Sequence, residues 1–163
     1  MIFLLILNMC GIFGIFNESD ICNNMTYYFN KGQHRGPENS KLISFTNMNF
    51  ILGFHRLAIN GLNNNSNQPL CFEDIILICN GEIFNYKELY KKHNLNANTD
   101  SDCEVIIHLY LLYGIDYTLS LLNGEYAFIL IDKKENKMFA IRDPFGIRPM
   151  YYLKNSVNNS FYF

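Results

Sequence analysis

The order of apolar and polar positions divides the chain into many short strands and a few helices. Residues 11–16, Gly-Ile-Phe-Gly-Ile-Phe, form an apolar run of strand length. Residues 20–30 predict a helix, with Asp20 as its cap and Met25, Tyr28 and Phe29 as its apolar stripe. The stretch from Gly32 to Pro37 ends that helix. Residues 50–54 and 75–79, rich in Ile, Leu and Phe, predict two more strands, separated by an Asn-rich loop over 60–69. Residues 86–93 predict a short helix. Residues 102–113 predict a stronger one, with acids in the first turn and Gly114 just past its end. Residues 125–132 and 137–142 predict strands joined by the charged turn 133–136, and 151–153 and 161–163 predict two more. Strands follow one another directly, with helices grouped between them. That order predicts an α+β fold with antiparallel sheets. No internal repeat and no Pro/Ser-rich linker interrupts it.

Composition narrows the classes of function. The 163 residues are 49% hydrophobic and 17% charged, a globular balance sized for one domain. Thirteen Lys and Arg against fifteen Asp and Glu leave a charge of −2, so nucleic acid and anionic membrane surfaces are not expected partners. The apolar run at residues 2–7 is too short to cross a bilayer and lacks the flanks of a signal peptide. Five Cys without a C-x-x-C pair predict neither a disulfide framework nor a zinc site, and they suit a reducing, cytoplasmic compartment. His34, His93 and His108 have no partner at ligand spacing, so no metal site is expected. Cys22, Cys71, Cys79 and Cys103 are expected as buried thiols or helix-face residues. The Asn-x-Ser/Thr triplets follow from the Asn bias and are not read as glycosylation sites.

The first candidate chemistry is Met9-Cys10-Gly11. If Cys10 becomes the first residue, its α-amine has a pKa of about 8 and sits on the same residue as the thiol. Nucleophile and base are then tied together, the logic of N-terminal-nucleophile catalysis. Taken singly, each candidate also has a purely structural reading. Cys10 could be a small hydrophobe in a strand, and Asn80-Gly81 a tight turn. Arg56 could be a surface charge, and Asp102 a helix cap.

Seven further segments change the weighting. In order they are His34-Arg35-Gly36-Pro37, Gly53-Phe54-His55-Arg56-Leu57-Ala58-Ile59, Gln68-Pro69-Leu70, and Asn80-Gly81-Glu82-Ile83-Phe84-Asn85-Tyr86. Then come Ser101-Asp102-Cys103-Glu104, Leu122-Asn123-Gly124-Glu125-Tyr126-Ala127-Phe128, and Arg142-Asp143-Pro144-Phe145-Gly146-Ile147-Arg148-Pro149. With Cys10, the series closely resembles the glutaminase domain of the glutamine-hydrolysing asparagine synthetases, which are class II glutamine amidotransferases. The resemblance runs from Cys10 to about Leu153. It implies two stacked antiparallel sheets flanked by helices, the four-layer Ntn-hydrolase arrangement, and hydrolysis of the glutamine side-chain amide to glutamate and ammonia. Cys10 would be the nucleophile. The Asn80 side chain and the Gly81 N–H would hold the oxyanion, where losing one donor typically costs about 3 kcal/mol. Arg56 would grip the α-carboxylate. Asp102, helped by Glu82, would accept the α-ammonium. Leu57, Ala58, Ile59 and Asn60 would add contacts along the same pocket. Arg35, Gly36 and Pro37 would shape a loop near the nucleophile, Phe54 and His55 would pack, and residues 142–149 would form a turn facing a synthetase partner.

At both ends the chain departs from the family pattern. Residues 1–9 read as a leader absent from the mature protein, because an acylated α-nitrogen is no base. Residues 10–163 read as a glutaminase domain truncated at its C-terminal end, since no nucleotide-binding loop of the synthetase half appears. The expected substrate is L-glutamine and the expected partner is the synthetase domain, with a homodimer left open. No cofactor is expected in this domain; ATP and Mg belong to the synthetase half. Three alternatives stay open. One is the glutaminase of another class II amidotransferase, such as the one acting on phosphoribosyl pyrophosphate. Another is an inactive glutamine-binding module that keeps its leader. The last is a fragment that does not fold alone.

Overall fold

The computed structural model describes residues 9–18 and 24–163. They form an α+β fold of two antiparallel sheets. The first sheet takes in β1 (Gly11–Phe16), β2 (Asn39–Phe45), β3 (Phe50–Arg56), β8 (Leu153–Asn155) and β9 (Ser160–Tyr162), in the order β2-β3-β1-β9-β8. The second takes in β4 (Leu70–Phe72), β5 (Ile75–Ile83), β6 (Gly124–Asp132) and β7 (Lys137–Arg142), in sequence order. The helices are α1 (Met25–Asn30), α2 (Tyr86–Lys92) and α3 (Val105–Leu121).

Strand alternation builds the layers. Side chains on a strand point to opposite faces in turn. Phe16, Phe50, Leu52 and Phe54 on the first sheet therefore meet Ile76, Ile78, Ile129 and Ile131 on the second, forming a closed apolar layer between the sheets. The intervening residues of the second sheet, among them Leu77, Cys79, Phe128 and Leu130, pack on α2 and α3 through Leu89, Ile106 and Leu109. Buried on both faces, β5 and β6 read as continuous apolar runs rather than alternating ones. Each fully buried Leu, Ile or Phe contributes about 1.5–3 kcal/mol to this core. On the outer face of the first sheet, Phe29 of α1 stacks on His55 with ring centroids 3.9 Å apart. A Cβ on Gly53 would lie 2.6 Å from the Phe29 ring, so the missing side chain lets α1 seat on the strand. The layers thus run helix, sheet, sheet, helices.

Several elements differ from the sequence reading. Strands β2 and β4 were not expected. Asp20, the expected cap, lies outside the described residues, as does Cys22. Gly114 bends α3 instead of ending it: at φ 76° it breaks the helix locally, and the chain then resumes helical turns to Leu121. Thr118 donates its hydroxyl to the Gly114 carbonyl at 2.8 Å across that bend. Cys79 and Cys103 are buried as expected, but Cys71 is exposed on the edge strand β4. No helix among the described residues is long and apolar enough to cross a membrane.

Candidate active site

A cavity of about 260 Å³ opens where β1 begins, β3 ends and β5 runs past its apolar stretch. The same alternation that closes the core delivers polar groups here. Arg56 continues the Phe50, Leu52, Phe54 series on β3, and Asn80 and Glu82 continue the Ile76, Ile78 series on β5. These side chains share the inter-sheet face with Cys10, and all line the cavity.

Cys10 lies just before β1. Its Sγ is 3.2 Å from the Leu57 N–H, which donates to it, and 3.3 Å from the Leu57 carbonyl. Arg35 donates from Nε to the Cys10 carbonyl at 3.3 Å. Burial pushes the Cys10 thiol pKa up; the Leu57 N–H, Arg56 and Arg148 pull the other way without cancelling it. The thiol therefore needs a proton acceptor close by. With Met9 attached, the Cys10 nitrogen is an amide and cannot be that acceptor.

Asn80-Gly81 is no turn. The pair sits inside β5, opposite Ala127 and Tyr126. Asn80 is 6% exposed, and its side-chain amide has no hydrogen-bond partner among the described residues. It lines both this cavity and a second, apolar one on the other side of Cys10. The N–H groups of Cys79, Gly81 and Ile83 point along one edge of β5. Gln68 Oε1 takes the first at 2.5 Å, and Asp102 Oδ2 takes the third at 2.7 Å. The Gly81 N–H between them faces the cavity. Glycine is required here: a Cβ would lie 2.3 Å from the Glu125 carbonyl oxygen.

Asp102 is 4% exposed at the cavity wall. Burial raises its pKa, the Ile83 N–H lowers it, and the neighbouring Glu82 raises it again. No basic side chain forms an ion pair with Asp102 or Glu82 among the described residues. Two carboxylates facing one cavity make a receptor for a cation. Arg56 is 7% exposed, and its terminal N–H groups are all engaged. They donate to the carbonyls of Asn60, Gly61 and Asn63 and to Asn67 Oδ1. The structure thus brings Arg56 to the cavity as the clasp of the Asn-rich loop. Asn60 reaches Glu82 from Nδ2 at 3.4 Å, and Ile59 stands exposed at the rim. Ala58 is outside the lining, its N–H bound by Glu38.

Three contributors escaped the sequence reading of single side chains. Gln68 grips Cys79 from both amide atoms and extends the edge of β5 beyond β4. Arg148 lines the cavity, paired with Glu125 and touching Met9. Asp143, 1% exposed, fixes the turn behind Arg148 by accepting the N–H groups of Phe145, Ile147 and Arg148. Each lay within a quoted motif, but its partners are distant in sequence. Among the described residues no cluster of three or more His, Cys, Asp or Glu could hold a metal ion.

Comparison with known proteins places the chain in a family. Residues 9–163 match the family model of the glutamine amidotransferase domain. The chain is 39% identical over 153 residues to asparagine synthetase [glutamine-hydrolyzing] 2 of Bacillus subtilis, covering 88% of this chain and 20% of that protein. It is 38% identical over 153 residues to asparagine synthetase [glutamine-hydrolyzing] of Gallus gallus, covering 88% and 26%. The rat protein of the same name is 36% identical over 154 residues, with the same coverage. The chain spans a fifth to a third of the length of such curated relatives. With the match running from the residue before Cys10 to Phe163, the chain belongs to the glutamine amidotransferase domain family.

Proposed function

We propose that the chain, once Cys10 is its first residue, hydrolyses the side-chain amide of L-glutamine to glutamate and ammonia. The α-amine takes the thiol proton as Sγ bonds to the amide carbon. The oxyanion that forms accepts hydrogen bonds from Asn80 Nδ2 and the Gly81 N–H. When the tetrahedral species collapses, the α-ammonium returns its proton to the leaving nitrogen, and ammonia departs from a thioester. Water then attacks the thioester, its proton passes through the same amine to Sγ, and glutamate leaves. Asp102 and Glu82 hold the substrate's α-ammonium. Arg56, with the loop it clasps, faces the α-carboxylate.

One observation carries this reading: the Cys10 thiol, the Asn80 amide, without a hydrogen-bond partner among the described residues, and two carboxylates without an ion pair there line one cavity. The test is ammonia release from glutamine without ATP by protein whose mature N-terminus, read by mass spectrometry, is Cys10. Cys10→Ala abolishes the release; activity surviving in that variant overturns the nucleophile. A second reading is favoured by the contact between Met9 and Arg148 at the cavity wall. A chain that retains Met9 binds glutamine without hydrolysing it, and calorimetry on that form reads the difference.

We further propose that the ammonia is passed to a synthetase domain that makes asparagine from aspartate and ATP, with Mg and ATP held there. The names of the relatives support this, and so does the small share of their length that the chain covers. Phe145, Ile147, Tyr151 and Tyr152 stand 56–89% exposed, an apolar surface suited to such a partner.

A further inference from the structure

Two residues beyond Asp102, Glu104 is 3% exposed and lies outside the lining of the substrate cavity. Its Oε1 accepts from the Asn98 N–H at 2.8 Å, from Asn98 Nδ2 at 3.0 Å and from His108 Nε2 at 2.8 Å. Its Oε2 accepts from the Thr99 N–H at 2.7 Å and from the Thr99 hydroxyl. The Thr99 hydroxyl in turn receives the Ser101 N–H at 3.1 Å, and the Glu104 N–H closes the turn on the Ser101 carbonyl at 3.2 Å. One carboxylate therefore gathers the whole 98–101 segment. That segment leads directly into Asp102. It also carries Asp100, which accepts from Asn63, whose carbonyl receives Arg56.

We propose that Glu104 is a positioning residue of the glutamine site: it fixes Asp102 against the substrate's α-ammonium and ties that wall to the loop clasped by Arg56. The inference rests on the function proposed above and deepens it. Burial by itself would raise the Glu104 pKa; the His108, Thr99 and Asn98 donors outweigh it and bring it down to about 2, so the clamp stays charged. An amide in its place would turn an N–H₂ group toward donors that need an acceptor.

The test is Glu104→Gln in protein that begins at Cys10, assayed on L-glutamine and on glutaramic acid, the same amide without the α-amine. The expected result is a KM for glutamine raised at least about tenfold with kcat changed less than about threefold. Selectivity for glutamine over glutaramic acid falls with it, and iodoacetamide alkylates Cys10 at the unsubstituted rate. An unchanged KM, or an equal loss on both amides, overturns the proposal. If Glu104→Gln does not fold, Thr99→Val removes the hydroxyl, both its donation to Glu104 and its acceptance of the Ser101 N–H, and raises KM several-fold; an unchanged KM there overturns it equally. If the unsubstituted protein releases no ammonia, the glutaminase reading fails separately. The glutamine concentration that half-protects Cys10 from alkylation then decides the role of Glu104: an increase in Glu104→Gln supports it and no change overturns it.

Discussion

At Cys10, burial opposes ionisation, so the thiol is inert until a neighbouring group takes its proton. In the proposed mechanism a base on the same residue therefore matters more than a low thiol pKa. In the proposed mechanism the oxyanion side needs no rearrangement, since the Asn80 amide faces the cavity without a hydrogen-bond partner among the described residues. Asn80→Ala is expected to lower kcat by about 10²–10³ with KM changed little, read by ammonia release. Tertiary context overrides local propensity at this residue. Asn-Gly favours a turn, but nine consecutive pairings between β5 and β6 keep the dipeptide extended. Arg56 shows the reverse. Its place was legible from the motif, but its engagement with residues 60–67 was not, because three of its four partners there are backbone carbonyls, which no side-chain pattern encodes.

Elements are held by contacts between segments distant in sequence. Helix α1 is six residues long, too short to be stable alone, and it docks through Phe29. The Phe29 carbonyl can only accept, so His55 Nε2 carries the proton of that 2.8 Å bond, and Nδ1 accepts from the Ser40 hydroxyl at 2.7 Å. Burial pushes the His55 pKa down. A depressed histidine pKa favours the neutral, folded form, so its contribution is present above the unfolded value of about 6.5 and fades as pH falls through the folded one. Hydrogen exchange of residues 25–30 is therefore expected to quicken as pH falls below the unfolded value and through the lower folded one, beyond the intrinsic pH trend, and His55→Gln is expected to flatten that response. Strand β2 escaped the sequence reading because its alternation is diluted on both faces by Asn39, Ser40, Lys41 and Ser44, polar residues that an edge strand tolerates. The helix beyond Gly114 escaped because a glycine normally marks an end, whereas here packing of the first turns carries the chain past it.

In the whole molecule, stability and site share one layer. Ile129 is fully buried between the sheets, and its Cδ1 sits 2.9 Å from where a Gly14 side chain would begin. Ile129→Ala is expected to cost about 2–5 kcal/mol. Its melting temperature, read by calorimetry, should fall by roughly 5–15 °C. Apart from β2, β4 and the helix past Gly114, the order of strands and helices, their antiparallel class and the chemistry-bearing residue types were present in the one-dimensional pattern, because period and propensity are local. Which of those residues share a cavity was not. That follows from the register of β1 on β3 and of β5 on β6, which sends Cys10, Arg56, Asn80 and Glu82 to one face. Register depends on pairings between residues tens of positions apart, and no local window of sequence contains both partners.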